Sequence, residues 1–450
     1  MGQGASRDRN QTWEVDAISD HQPKVGQHCS INVMQLSGDA SMLFTGGEDK
    51  VVRIWDIVKE EPKCLGRLKG HTDYITQLAV VGTHVITGSA DKTIRKWSMV
   101  DVSCEYVYEG HSQRIQRLIC TPEFILSSST DKTCMLWRMH LPEAGKEPRE
   151  RDRTDDDPRD DMWIRTFRGH TGTVYALCFV PGDVDEEPSQ PNGHAKENGH
   201  GEGEKDDEEG EQKVVEEEDE DGVHPRDILI TGSADGTARS WALATGQQLK
   251  VFKGHRGAVM LMAIDSTGKL LYTAGDDTTV RRWDIHKGVC TLVISGHGES
   301  VSAMLLVNQM LYTGSADTKA RRFVTEFGDL TRTYGSHRDT VNTLRFSEGI
   351  LFTGCTDSVA RAFDANTGRL LRCYSGHEAA ITCMQVARKR LYTGSDDGIL
   401  RVWDADVAPE DRSQIEAETM GDTAKTVDDS GAGAPAEGQD EKKAADAAAE

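Results

Sequence analysis

The chain has 450 residues, of which 37% are hydrophobic and 28% charged, and its formal net charge is −23. It lacks a secretory signal and any run of about 18 apolar residues, so the sequence predicts neither secretion nor a transmembrane helix. Its acidic balance gives no basic footprint of the kind that nucleic-acid binding requires, so we expect no nucleic-acid partner.

The chain opens with MGQGAS, which fits the acceptor pattern for N-myristoylation on Gly2 once Met1 is removed. A short pattern can also arise by chance at a flexible terminus. One myristoyl chain binds membranes only weakly and reversibly, and no cysteine precedes Cys29 to supply a second lipid. We therefore expect residues 1–11 to be a flexible arm, and the protein to be cytoplasmic with a membrane-associated fraction.

One sequence pattern then recurs eight times up to residue 404. Its form is TGSADKTIRKW at residues 87–97: an Asp stands six residues before an aromatic residue and four residues after a Ser or Thr. A His precedes nearly every copy. Short β-branched runs separated by turn residues predict several short strands per copy. The sets that we expect to act together are His71, Thr87, Asp91 and Trp97; His111, Ser127, Asp131 and Trp137; His170, Thr231, Asp235 and Trp241; His255, Thr273, Asp277 and Trp283; and His377, Thr393, Asp397 and Trp403.

Each set can satisfy its own buried polar groups. The imidazole would bond the Asp carboxylate on one side and the hydroxyl on the other, while the hydroxyl accepts the indole N–H. Asp, His and Ser or Thr can also form a hydrolase triad. Because an enzyme needs one triad and this chain repeats the set, we interpret each set as a structural brace, and we expect no catalytic residue, metal or cofactor.

The spacing of about 40 residues, with Gly-His and Trp-Asp pairs, resembles the WD-repeat family. The resemblance covers residues 29 to about 404 and implies an all-β, closed propeller of four-stranded antiparallel blades. Eight patterns imply eight blades, and the alternative is seven blades with one repeat loosely attached. In this family the start of the chain supplies the last blade's outer strand, and residues 12–19 alternate suitably. We expect the propeller to occupy residues 12–405.

Three repeats depart from the pattern. Phe323 and Phe363 replace the Trp and cannot donate an N–H, so their blades should be less stable. The first repeat is one residue short after His28, which leaves its brace in doubt.

Two inserts and the chain end are polar. Residues 181–226 carry 18 acidic and four basic residues, and residues 405–450 carry 13 and four. These segments and the insert at 141–162 lack apolar periodicity, so we predict disorder for both inserts and for an acidic tail at 406–450. Both inserts should emerge on the propeller face that also carries the chain ends. The opposite face, which we call the open face, would keep only the short turns around each His and Asp.

In the family, partner contacts come from residues three and five after the His and one before the Asp. At these positions we expect the strongest contacts from Tyr74, Arg114, Tyr175 and Met260. A single Arg predicts a neutral or basic partner segment rather than a phosphorylated one. The sequence thus predicts a monomeric, non-enzymatic scaffold for unidentified protein partners. The alternative is a substrate receptor or adaptor in a ubiquitin ligase complex, although no Trp-Asp pair is followed by x-Arg.

Overall fold

The structure is a computed structural model that describes residues 13–15, 29–59, 61–140, 161–182 and 223–406. All regular elements in these ranges are β-strands, 32 in number. No helix in them is long and apolar enough to cross a membrane. Gly2 lies outside the described residues, as do most of the predicted inserts and all but the first residue of the predicted tail.

The strands form eight four-stranded sheets, which we call blades 1–8 in chain order. Blade 1 contains β2 (Ile31–Leu36), β3 (Met42–Gly47), β4 (Val51–Asp56) and β5 (Lys63–Lys69). Blade 2 contains β6 (Ile75–Val81), β7 (His84–Ser89), β8 (Ile94–Ser98) and β9 (Ser103–Tyr108). Blade 3 contains β10 (Ile115–Cys120), β11 (Phe124–Ser129), β12 (Cys134–Arg138) and β13 (Trp163–Phe167). Blade 4 contains β14 (Val174–Val180), β15 (Ile228–Ser233), β16 (Thr237–Ala242) and β17 (Gln248–Lys253).

The second half of the chain repeats the arrangement. Blade 5 contains β18 (Val259–Ile264), β19 (Leu270–Gly275), β20 (Val280–Asp284) and β21 (Val289–Ile294). Blade 6 contains β22 (Val301–Val307), β23 (Met310–Ser315), β24 (Ala320–Val324) and β25 (Leu330–Tyr334). Blade 7 contains β26 (Val341–Ser347), β27 (Ile350–Cys355), β28 (Ala360–Asp364) and β29 (Leu370–Tyr374). Blade 8 contains β30 (Ile381–Ala387), β31 (Arg390–Ser395), β32 (Leu400–Asp404) and β1 (Trp13–Val15).

All strand pairs are antiparallel, and the repeated sequence explains their form. The second strand is buried along nearly its whole length, which matches its continuous apolar and hydroxyl side chains, whereas the outer strand is largely exposed. A tight turn at the brace Asp joins the second strand to the third. The residue after the Asp takes a left-handed conformation, with φ of 75° at Lys92 and 77° at Gly236.

The hydrophobic core lies between blades rather than within one. Val33, Phe44 and Ile54 of blade 1 pack against Leu78 and Trp97 of blade 2, and similar clusters fill the other interfaces. The recurring aromatic residue is buried whether it is Trp or Phe: Trp97 is 2% exposed and Phe363 1%. Each blade therefore depends on its neighbour to cover its apolar face.

The ring closes between blade 8 and blade 1. Strand β1 pairs with β32, with Trp13 opposite Val402 and Val15 opposite Leu400. Ile31, Met34 and Trp55 of blade 1 also pack with Tyr392 and Val402 of blade 8. The prediction of eight four-stranded blades is therefore confirmed. The predicted closing strand is confirmed for Trp13–Val15; its other residues, 12 and 16–19, lie outside the described residues.

Basic side chains tie blades together on the face that carries the inserts. Within the described ranges, at six of the eight blade interfaces, a Lys or Arg donates to a main-chain carbonyl at the corner between the third and outer strands of the next blade. We call these contacts carbonyl clamps. They are Lys96 to Met139, Arg165 to Ala244 and Thr245, Arg282 to Thr325, Arg322 to Ala365, Arg372 to Asp404, and Arg390 to Lys59. Each contact runs between 2.6 and 3.2 Å.

The described structure reaches into both predicted inserts. Met162, the last residue of the first, is 2% exposed, and its carbonyl accepts from the Arg138 amide. In the second, Val223 is 2% exposed, and the amides of Gly182 and His224 both donate to the Asp227 carboxylate. Residues 407–450 lie outside the described ranges.

Candidate functional site

The brace of blade 2 shows how each turn on the open face is held. His71 Nδ1 lies 2.7 Å from Asp91 Oδ2, and His71 Nε2 lies 2.7 Å from Thr87 Oγ1. The Trp97 indole donates to the same hydroxyl at 2.8 Å. With Nδ1–H facing the carboxylate, Thr87 donates to the imidazole and accepts from the indole, so every polar group is paired. Thr87 is 0% exposed, so its hydroxyl cannot reach a substrate.

The predicted residues come together in the same way in the other four complete sets. The His–Asp contacts measure 2.7 or 2.8 Å in blades 3, 4, 5 and 8. Burial raises the pKa of Asp131, but hydrogen bonds from His111 and Thr133 outweigh it and bring the pKa to about 2. Burial lowers the pKa of His170 and His255, so these imidazoles stay neutral as the brace requires.

In three blades the Arg four residues after the Asp bonds the carboxylate, whereas the equivalent Arg95 of blade 2 lies over the Trp97 ring. In blade 7, Arg361 holds both oxygens of Asp357 at 3.0 and 2.7 Å, and His337 keeps only its bond to Thr353 at 2.8 Å. The Nδ1 atom of His337 has no hydrogen-bond partner among the described residues. Burial, and then the Arg361 charge, lower the pKa of His337 to about 4.

The same Arg engages its Asp in blades 6 and 1. In blade 6, where Phe323 replaces Trp, Arg321 bonds Asp317 at 2.6 Å beside His297. In blade 1, Arg53 contacts Asp49, and a small cleft lined by Thr45, Asp49 and Arg53 occupies the brace position. An Arg thus bonds the carboxylate in blades whose described part lacks the indole or the imidazole; in blade 6 it shares the carboxylate with His297, whose Nδ1 lies 3.0 Å from Asp317.

The predicted partner residues lie on the open face, and two of them bond each other. The exposed guanidinium of Arg114 donates from Nη1 to the Tyr74 hydroxyl at 2.9 Å, and from Nε to Thr130 Oγ1 at 3.3 Å. Tyr175 is half-buried on blade 4, and Met260 is 38% exposed on blade 5. Together they form a band across blades 2–5.

Some positions that the family pattern assigns to partners instead join blades. Five residues after their His, Ser302 and Asn342 donate to the carbonyls of Val341 and Ile381 in the next blade, at 2.7 and 3.4 Å. Thr382 bonds the Ile31 carbonyl in the same way. On blades 6–8 these side chains are therefore committed to the ring, whereas Tyr175 and Met260 are too long or too apolar for this contact.

Sequence reasoning missed three lysines on the open face. Lys50, Lys92 and Lys132 directly follow the brace Asp in blades 1–3, and all three are exposed. Lys50 Nζ also donates to the Thr72 carbonyl in the next blade, at 2.6 Å. The signal was present as a Lys after the Asp in the first three repeats, but the position was treated as part of a turn.

The face offers no metal site within the described ranges, since no three His, Cys, Asp or Glu residues there are placed to hold an ion. All ten cysteines are free thiols.

Comparison with known families identifies repeats of the predicted type. Residues 102–138, 246–284 and 368–404 match the family described as WD domain, G-beta repeat. Residues 11–113 match the family described as DDB1- and CUL4-associated factor 12 beta propeller. These matches support a WD-repeat family for the chain.

Similar proteins cover short parts of the chain. A CCR4-associated factor 4 homolog of Vanderwaltozyma polyspora is 30% identical over 95 residues, which are 18% of this chain and 14% of that protein. Mitochondrial division protein 1 of the same yeast is 26% identical over 170 residues, 34% of this chain and 24% of that protein. The chain thus spans a quarter or less of these relatives' length.

Two solved structures share the fold over most of the chain. The computationally designed Ika8 protein has a TM-score of 0.64 at 22% identity, and covers 84% of this chain and 98% of its own. Saccharomyces cerevisiae Sqt1 has a TM-score of 0.65 at 14% identity, with coverages of 84% and 96%. At these identities the similarity concerns the fold alone.

Proposed function

We propose that this protein is a non-enzymatic scaffold that binds another protein through its open face. The observation that carries the proposal is the asymmetry of the ring. The connections that contain the two long inserts, and both ends of the ring-forming chain, lie on one face, because they follow a first or third strand or flank the outer strand of blade 8. Among the described residues, the other face holds only short turns, which leave a rigid surface accessible; the connection from β1 to β2 includes residues 16–28, which lie outside the described ranges.

We propose that Tyr175 and Met260 of this chain make the main contacts with the partner. Both belong to the band across blades 2–5, and aromatic or flexible apolar side chains supply much of the binding energy at protein interfaces. The variant Tyr175→Ala with Met260→Ala should weaken the main interaction at least ~10-fold, with little change in melting temperature, since neither side chain lies in the buried core. Substituting exposed Val289 and Val293, on the outer strand of blade 5, is the matched control.

Affinity purification of the wild type and both variants, with quantitative mass spectrometry, tests the proposal. A partner set that the anchor variant leaves intact would show that the open face is not the binding surface.

A second candidate is an adaptor in a ubiquitin ligase. The match of residues 11–113 to a propeller described as DDB1- and CUL4-associated supports it. Mixing the purified chain with DDB1 tests this directly: co-elution on gel filtration supports the adaptor role, and separate elution at micromolar concentration rejects it. The scaffold role survives either result.

We further propose that Gly2 carries a myristoyl group on a monomeric, cytoplasmic protein with a membrane-associated fraction. The MGQGAS motif supports this. Intact-mass analysis of protein from a eukaryotic host tests the modification, and an acetylated or free terminus would remove it. Gly2→Ala should move the membrane fraction to the cytosol.

A further inference from the structure

We propose that the open face of blades 1–3 binds an Asp- and Glu-rich segment of the partner protein. The binding groups are Lys50, Lys92, Arg114 and Lys132, which we call the basic arc. The inference rests on the proposed function and names the chemistry of its partner. It replaces the sequence-based expectation of a neutral or basic segment, which omitted the three lysines.

The lysines are concentrated in one sector of the ring. Each is the residue after the brace Asp, at the tip of a tight turn, with φ of 67°, 75° and 73° for Lys50, Lys92 and Lys132. The other five blades carry Gly, Thr or Ser at this position. Since a left-handed conformation does not favour Lys over Gly, turn geometry does not explain why Lys occurs on three successive blades.

Arg114 is held in place before any ligand arrives. Its bonds to the Tyr74 hydroxyl and Thr130 Oγ1 fix the guanidinium over the boundary between blades 2 and 3, among the lysines. A cation fixed in this way loses less side-chain entropy on binding than a free one.

The acidic groups of this sector are largely occupied within the fold. The carboxylates of Asp91 and Asp131 are 5% and 7% exposed and bonded to their imidazoles. Asp73 accepts from the Tyr74 amide at 2.8 Å. The more accessible carboxylates of Glu48 and Asp396 both bond Ser30, at the junction of blades 8 and 1. The basic side chains therefore attract an acidic ligand to blades 1–3, whereas the carboxylates at the junction of blades 8 and 1 repel it.

The arrangement suits a run of carboxylates better than a phosphate or a nucleic acid. The three lysines stand on separate turns, one per blade, with a single Arg, whereas phosphate recognition uses converging arginines. Nucleic-acid binding requires a larger basic footprint. Tyr175 and Met260 lie next along the ring on blades 4 and 5, so an apolar side chain of the partner would sit beside its acidic run.

Selection from a random 16-residue peptide library displayed on phage, against the immobilised full chain, tests the inference. We expect the enriched peptides to be rich in Asp and Glu with one large apolar residue. A fluorescein-labelled copy of the most enriched peptide should bind at least ~10-fold more weakly to Lys92→Glu/Arg114→Glu/Lys132→Glu, and several-fold more weakly when NaCl rises from ~50 to ~300 mM.

The matched control is Lys269→Glu/Lys287→Glu/Lys389→Glu, which changes net charge equally on the insert-bearing face and should bind like the wild type. Equal melting temperatures for the two triple variants exclude misfolding as the cause. Enrichment of basic or neutral peptides that require Tyr175 and Met260 would overturn the inference but keep the proposed function, whereas enrichment of no peptide would reject both. Tighter binding of a labelled oligouridylate than of any enriched peptide would assign the arc to nucleic acid and overturn the inference.

Discussion

The hydroxyl of the brace should cost far more to remove where an indole depends on it. In blade 2, Thr87 serves both His71 and Trp97. In blade 7, Thr353 serves only His337, because Phe363 has no N–H. Thr→Val keeps the side-chain shape and removes the hydroxyl, so it leaves two buried polar groups unpaired in blade 2 and one in blade 7.

The expected size of the effect follows from these counts. An unpaired buried polar group costs about 1 to 3 kcal/mol of stability. Thr87→Val should therefore lower the free energy of unfolding by about 2 to 6 kcal/mol, and Thr353→Val by about 1 to 3 kcal/mol. A double-mutant cycle isolates the indole bond: in a Trp97→Phe background, Thr87→Val should cost only what Thr353→Val costs. The coupling between Thr87 and Trp97 should then be about 1 to 3 kcal/mol.

Urea unfolding followed by circular dichroism measures all five proteins. The blade 8 variant Thr393→Val, whose hydroxyl accepts from Trp403 at 2.8 Å, is a replicate that should match Thr87→Val. Equal losses for Thr87→Val and Thr353→Val, or a coupling near zero, would refute the assignment of the closing bond to the indole.

Three further predictions follow from the fold. The pKa of His337 falls to about 4 from its usual 6.5. The contribution of the neutral imidazole to the free energy of unfolding is therefore complete above pH 6.5, and about 3 kcal/mol of it is lost as the pH falls toward 4. Melting curves of His337→Gln should show a smaller decrease in melting temperature on acidification than those of the wild type. Deleting residues 1–20 should lower the melting temperature and promote aggregation by exposing the β32 edge, whereas deleting residues 410–450 should leave melting unchanged; a normally melting, soluble 1–20 deletion would contradict closure by β1. Lys96→Met breaks a carbonyl clamp and should lower the free energy of unfolding, measured in urea, by about 1 to 3 kcal/mol, whereas Lys269→Met should change it very little. Equal urea midpoints for the two variants would show that the clamp does not stabilise the ring.

The ring of blades could be predicted from the sequence because the pattern repeats. Any single TGSADKTIRKW could be a hairpin in many folds, but eight copies, most of them about 40 residues apart, predict a closed ring of blades. The closing strand could be predicted because Trp13 and Val15 alternate with polar residues and the last blade lacked an outer strand.

Which blades have an Arg bonded to the brace Asp could not be predicted from the sequence. Arg95 and Arg361 occupy equivalent positions, yet Arg95 lies over the Trp97 ring, 5.9 Å from its centroid, while Arg361 takes both oxygens of Asp357. In blade 1 Trp55 is present, yet Arg53 still bonds Asp49, so the outcome depends on the packing around each guanidinium and not on the aromatic residue type alone. The basic arc was missed for a related reason: sequence spacing places Lys92 in a turn without showing that the side chains of three such turns share an accessible surface.

Blades 4 and 8 each combine strands from both sides of the second insert, so cleavage of the chain in that insert should not separate the two parts. A single cleavage between residues 183 and 222 would give one fragment with β1–β14 and another with β15–β32. Blade 4 would still need β14 from the first fragment, and blade 8 would still need β1 from it. Proteolytic nicking there should therefore leave the halves associated under native conditions, and the two halves, expressed separately, are a natural pair for a split-protein reporter.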